Sequence, residues 1–183
     1  MAVRIITDST VDIADKYRNL FTVVPLTVSF GEKDYIDGVT LNKQEFYQKL
    51  VSSQELPKTS QATPAAFEEV FRKLQEQGDE AVVITVSSRL SGTYQSACIA
   101  AEDFDNVRVV DSLNVSIASG ILAEYALRCA SEGMGLDELA RHLSKVFGQE
   151  LPMKFLIGEH MRLKSGAKGW SVIVGNNLKK KKS

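Results

Sequence analysis

The chain has 183 residues, 44% hydrophobic and 25% charged, with a formal net charge of -1. That length suits one domain, or one domain with part of a second, and is enough for a real core. The near-neutral balance excludes any global argument for nucleic acid or an anionic membrane surface as partner. Two cysteines, Cys98 and Cys129, form no CxxC pair and are too few for a disulfide framework or a structural zinc site.

The N-terminus, MAVRIITDST, carries no cleavable signal pattern, and no apolar run approaches the roughly 18 residues of a transmembrane helix. A reducing, cytoplasmic setting is expected. Val3–Ile6 is β-branched and reads as a buried strand. Ser9 and Asp12 have capping-box spacing, which predicts a helix start there. Val23–Phe30 is apolar but contains Pro25, so the spacing predicts a bent or edge strand. Asp34–Gly38 reads as a turn. Asn42 and Glu45 then open a helix with Phe46, Tyr47, Leu50 and Val51 on one side.

Residues 57–64 (PKTSQATP) read as a polar loop, ending in a Thr63–Pro64 helix start. Phe67, Val70, Phe71 and Leu74 give that helix an apolar stripe, and Gly78 ends it. Ala81–Val86 is a continuous apolar strand of the central parallel kind. A helix follows to about Phe104, then a strand at Val107–Val110 and two more helices marked by Ile117–Tyr125 and Leu136–Phe147. Lys154–Ile157 reads as a last strand. Strands alternate with helices, so the fold class is α/β, a mostly parallel sheet flanked by helices. Residues 1–150 form one domain. The pattern weakens across 151–183, which ends in the four lysines Lys179–Lys182.

Small polar residues collect at the predicted strand ends: Thr7–Asp8–Ser9–Thr10, Ser87–Ser88, Ser91–Gly92–Thr93 and Asp111–Ser112. Thr59–Ser60–Gln61 adds to them. Ligands of open parallel sheets bind at the carboxyl ends of the strands. Ser91–Gly92–Thr93 at a helix start would present free amides and uncharged hydroxyl donors, which suit a small anionic head group. The bland alternative is that Ser9, Ser91 and Asp111–Ser112 are simple helix caps, that Asp8 accepts loop amides, and that Arg89 is solvated. No G-x-S-x-G, Walker or G-x-G-x-x-G motif occurs. His142 falls on the polar side of its helix, and no His/Cys/Asp cluster has metal-ligand spacing. No cofactor is implied.

The pieces TDST (7–10), VVPLTVSF (23–30), YIDG (35–38), LPKTSQATP (56–64), SSRLSGTYQSA (87–97) and VVDSLNVS (109–116) together resemble the DegV family of bacterial fatty-acid-binding proteins. The resemblance implies a binding protein without catalytic machinery of its own. It implies a long-chain fatty acid held between two α/β domains, its carboxylate on Thr59, Ser60, Ser91, Gly92 and Thr93, with Asp8 and Ser9 at the same edge. It further implies a fatty acid kinase as partner. Family members carry a second domain that is largely missing here. Residues 151–183 read as a divergent remnant of its start, with a basic tail. Apolar surface meant for that domain would favour a homo-oligomer. Two other readings compete. One is an enzyme or binding protein for a phosphorylated small molecule, cradled by Ser91–Thr93. The other is a truncated member that has lost binding and survives as an interaction module.

Overall fold

The structure, a computed structural model, describes residues 2–148. The expected strand at 154–157, the remnant at 151–183 and its basic tail lie outside the described residues. Four parallel strands form the main sheet in the order β2-β1-β6-β7: β1 (Val3–Asp8), β2 (Phe21–Val24), β6 (Glu80–Thr85) and β7 (Val107–Asp111). Successive strand residues face opposite sides, so the sheet feeds two cores. On one side Ile6, Val83 and Val107 meet Phe67, Phe71, Ala97 and Ala100 of helices α2 (Pro64–Gln77) and α3 (Thr93–Ala101). On the other, Ile5, Val82, Ile84 and Val110 meet Leu122, Ala126, Leu139 and Leu143 of α4 (Ile117–Ser131) and α5 (Leu136–Gly148). This double burial is why β6 reads as unbroken apolar sequence.

Several helix ends follow their local signals. Thr63 Oγ1 accepts from the Ala66 amide at 3.3 Å with Pro64 behind it, and Gly78 closes α2 in the left-handed region at φ 70°. Helix α1 (Lys43–Ser52) begins with a complete capping box: Asn42 Oδ1 accepts from Glu45 N, and Glu45 Oε2 accepts from Asn42 N. Val70 is only partly buried, at the edge of its core. His142 is half-buried rather than on an open polar face, with Nε2 2.7 Å from the Tyr125 hydroxyl.

Five expectations are corrected. No helix starts at Ser9: residues 9–10 turn, and a single 3-10 helix spans Asp15–Leu20. Ser9 Oγ accepts from the distant Leu26 amide, and Asp12 Oδ2 accepts from Ser116 Oγ, so long-range partners have taken the side chains a cap would need. The 23–30 run is two strands rather than one. Pro25 separates β2, at an edge of the parallel sheet, from β3 (Thr27–Phe30) in a second sheet. That sheet is antiparallel, ordered β4-β3-β5, with β4 (Lys33–Ile36) and β5 (Lys58–Ser60). The DYIDG turn therefore begins later, at Asp37–Thr40, and Lys58–Ser60 of the 57–64 loop are a strand. Finally, α1 buries none of its residues, with Tyr47 and Val51 exposed. Phe46 and Leu50 are half-buried, with Phe46 edge-on to Phe30 at 5.9 Å.

Candidate functional site

The order of the parallel strands reverses direction between β1 and β6: the chain leaves β1 toward β2 and leaves β6 toward β7. At such a point the loops diverge and open a crevice over the carboxyl ends. Asp8 closes the floor of that crevice. Its Oδ2 accepts from Val86 N at 2.6 Å, and its Oδ1 accepts from Thr10 N at 2.9 Å and Thr10 Oγ1 at 2.6 Å. Burial pushes its carboxyl above the ordinary carboxylate value, while the Thr10 hydroxyl and the two amides pull it back.

Above this floor the chain turns tightly. Ser87 O accepts from the amides of both Leu90 and Ser91, and Ser87 Oγ accepts from Arg89 N. The turn delivers Ser91 to the start of α3, where Ser91 Oγ lies 2.9 Å from Thr93 Oγ1 and accepts from Thr93 N at 3.2 Å. Gly92 occupies the cap position and has no side chain to take up the amides of the first turn. The strand β5 then runs in from the second sheet. Its last residues, Thr59 and Ser60, are exposed, and the chain beyond them straps onto α3. Ala62 N donates to Thr93 Oγ1 at 3.4 Å, and Gln61 Nε2 donates to Ser96 Oγ at 2.9 Å. The strap lies close over Gly92: a Cβ there would overlap the Gln61 side-chain amide, which would have to shift.

The structure thus brings Ser91, Gly92 and Thr93 together and seats the Thr59–Ala62 strap against them. Thr93 is fully buried, so its hydroxyl braces Ser91 and Ala62 from behind, while Ser91 and Gly92 are half-buried at the surface. Asp8 and Ser9 lie at the same sheet edge, but their oxygens are engaged in holding loops: Asp8 is fully buried, and Ser9 Oγ ties to Leu26 N. A buried carboxylate would also repel an anionic ligand. Asp111, expected as a cap, instead accepts from Ser88 N and from Leu113 N at 2.9 Å, and Ser112 Oγ pairs with Ser119 Oγ at 3.2 Å.

Sequence reasoning named Gln61 only as part of the Thr59–Ser60–Gln61 loop and did not name Ser96. Their signal was present, since Ser96 lies one helical turn beyond Gly92 and so on the same face as the cap. The loops after β6 and β7, joined by Ser87 N donating to Asn114 O, expose an apolar rim at this edge: Leu90 is 66% exposed and Ile117, at the start of α4, 68%, with Leu113 and Val115 also exposed. Burial raises the Cys98 thiol on α3 despite its bond to Tyr94, which disfavours thiolate chemistry beside the site. Among the described residues, no group of three or more His, Cys, Asp or Glu could hold a metal ion. Nor is any described helix long and apolar enough to cross a membrane.

Comparison with known proteins agrees with this architecture. The family model described as an uncharacterised protein of the DegV family matches residues 2–155. A DegV domain-containing protein of Caldanaerobacter subterraneus is 41% identical over 142 residues, 75% of this chain and 50% of that protein. Among solved structures, the study of fatty acid binding by a DegV family protein from Thermus thermophilus matches with TM-score 0.72 at 33% identity, over 80% of this chain and 54% of that one. A stearic acid-binding protein from Eubacterium ventriosum matches with TM-score 0.69 at 34% identity, over 77% of this chain and 52% of that one. The chain spans about half the length of each of these three proteins. Its fold, its strand order and the match across nearly all described residues lead to one conclusion: the chain belongs to the DegV family.

Proposed function

We propose that this protein binds a long-chain fatty acid and has no catalytic machinery of its own. The carboxylate rests on the Ser91 hydroxyl and the amides around Gly92, with Thr59 and Ser60 completing the cradle from the strap. Thr93 fixes the Ser91 hydroxyl, while Asp8 and Ser9 hold the loops beneath. The single observation carrying this reading is the closure of the Gln61–Ala62 strap onto the start of α3, through Gln61–Ser96 and Ala62–Thr93. Uncharged donors and the helix start at Gly92, which has no capping side chain of its own, together support this reading, because they suit a carboxylate joined to a long acyl chain. The apolar rim supports burial of that chain, worth about 0.8 kcal/mol per CH₂ removed from water.

Neutral donors hold a carboxylate without the bidentate clamp an arginine would form, and so leave its oxygen nucleophilic. That suits presentation of the bound acid to a fatty acid kinase. The same rim would favour self-association when it is not otherwise covered.

The test is mass spectrometry of an organic extract from the natively purified protein, calibrated against protein amount. A near-stoichiometric fatty acid is the expected result, and an empty extract from folded protein overturns the reading. Ser91→Ala is expected to lower oleate affinity by about tenfold or more, the scale of a hydrogen bond to a charged group. Thr59→Ala should lower it by less, and unchanged affinity in both variants removes the carboxylate from this cradle.

A further inference from the structure

The loops that leave the four parallel strands hold one basic side chain, Arg89, in the stretch Val86–Gly92. The acidic groups near this edge are Asp8 and Asp111, at strand ends, Asp12, in the loop after β1, and Asp37, whose charge reaches Asp8. The first three are committed. Asp8 and Asp111 accept loop amides, and Asp12 accepts from Ser116 Oγ. An acid approaching this edge therefore meets carboxylates; Arg89 is the basic side chain that the strand-end loops set against them, with the exposed Lys58 preceding Thr59 on β5. Arg89 is exposed, and its guanidinium makes no ion pair or hydrogen bond with any described residue. Its backbone is nevertheless fixed. It sits at the crown of the turn in which Ser87 accepts from Arg89, Leu90 and Ser91. Arg89 is two residues from Ser91, a chain distance of at most about 7 Å, which an extended arginine can span. Leu90 between them belongs to the apolar rim, so the charge stands at the mouth of the site.

We infer that Arg89 is the specificity residue of this site: it attracts the carboxylate to the hydroxyl cradle and sets the preference for a fatty acid over an uncharged lipid of the same chain. The inference rests on the fatty-acid reading above. An exposed guanidinium steers and selects through its field, and does so less at high salt. It need not close on the carboxylate as a buried clamp would, so the bound oxygen stays available.

The experiment compares oleate with oleamide, which has the same chain and an uncharged head, by isothermal titration calorimetry on the full chain. Wild type, Arg89→Gln and Arg89→Lys are each measured at about 10 mM and about 1 M salt, where the screening length falls from about 30 Å to about 3 Å. At low salt Arg89→Gln is expected to bind oleate about three- to fivefold more weakly, the scale of an exposed ion pair. Its oleamide affinity should match wild type, Arg89→Lys should keep most of the oleate preference, and high salt should erase the difference. Equal oleate affinity in wild type and Arg89→Gln overturns the inference while leaving the fatty-acid reading standing. So does an equal loss for oleate and oleamide, because that is a structural effect. A wild type that binds neither ligand removes the fatty-acid reading, and the role of Arg89 falls with it.

Discussion

The two sheets of this protein differ in composition and are held by different means. In the parallel sheet, Ile6, Val82, Val83 and Ile84 are wholly buried between helices on both faces. In the antiparallel sheet, β4 and β5 bury nothing, β3 buries only Val28, and α1 packs no residue into a core. The second sheet is anchored at its ends instead, by Leu26 and Ala62, which belong to the α2–α3 core. The difference separates stability from placement. The parallel sheet supplies the free energy of the fold, and the antiparallel sheet carries Thr59 and Ser60 to the start of α3.

That comparison can be broken most sharply at Phe71, fully buried against Phe67 and Phe104. Phe71→Ala should cost about 3–5 kcal/mol, read from urea unfolding. A cost below about 1 kcal/mol would mean the parallel body is not where stability resides.

Asp8 comes next, because it ties β1 to the loop after β6. Asp8→Asn puts an amide donor where one carboxylate oxygen accepted, leaving a buried N–H unpaired at about 1–3 kcal/mol. The pH dependence has a definite sign. With the folded carboxyl raised above its ordinary 3.8, the native state holds the proton more tightly than the unfolded chain. This group's contribution is therefore fully present below the ordinary value and is lost as pH rises through the raised one. The variant should lack that component of the fall, seen in unfolding midpoints across a pH series starting near 3.8. A midpoint–pH curve of unchanged shape would remove Asp8 from this role.

Two changes in the antiparallel region sharpen the contrast. Asn42→Ala removes the acceptor of the α1 capping box. It should cost about 1 kcal/mol, expressed as faster amide exchange in α1 and not in β1 or β6. Exchange rising equally in the parallel sheet would show that the two regions unfold as one unit. The smallest effect is expected at Val51, 87% exposed on α1. Val51→Ala should change stability by no more than about 0.5 kcal/mol, and a larger loss would reveal that this face is covered in solution.

Much of the fold was legible because local chemistry and tertiary structure agree. The capping box at Asn42, the Thr63–Pro64 start, the Gly78 stop and the apolar β6 run each act within a few residues of themselves. The hydroxyl cluster of Ser91–Thr93 was legible for the same reason, since a helix start announces itself in its own sequence. Ser9 and Asp12 misled because their oxygens found partners at Leu26 and Ser116, which no local pattern reveals. The strand at Lys58–Ser60 was hidden because its pairing with β3 uses backbone groups, which carry no side-chain signature.

The sequence by itself determined the alternation of strands and helices, the helix ends and the polar character of the strand ends, because these follow from propensity and periodicity along the chain. Only the tertiary structure decided which hydroxyls stand free and which are structural. It buried Thr93 and Asp8, left Ser91 at the surface, and closed the Gln61 side chain over Gly92, in space that a Cβ would otherwise take. Whether a polar atom is available to a ligand depends on whether the fold has already satisfied it, and those partners arrive from residues far away in the chain.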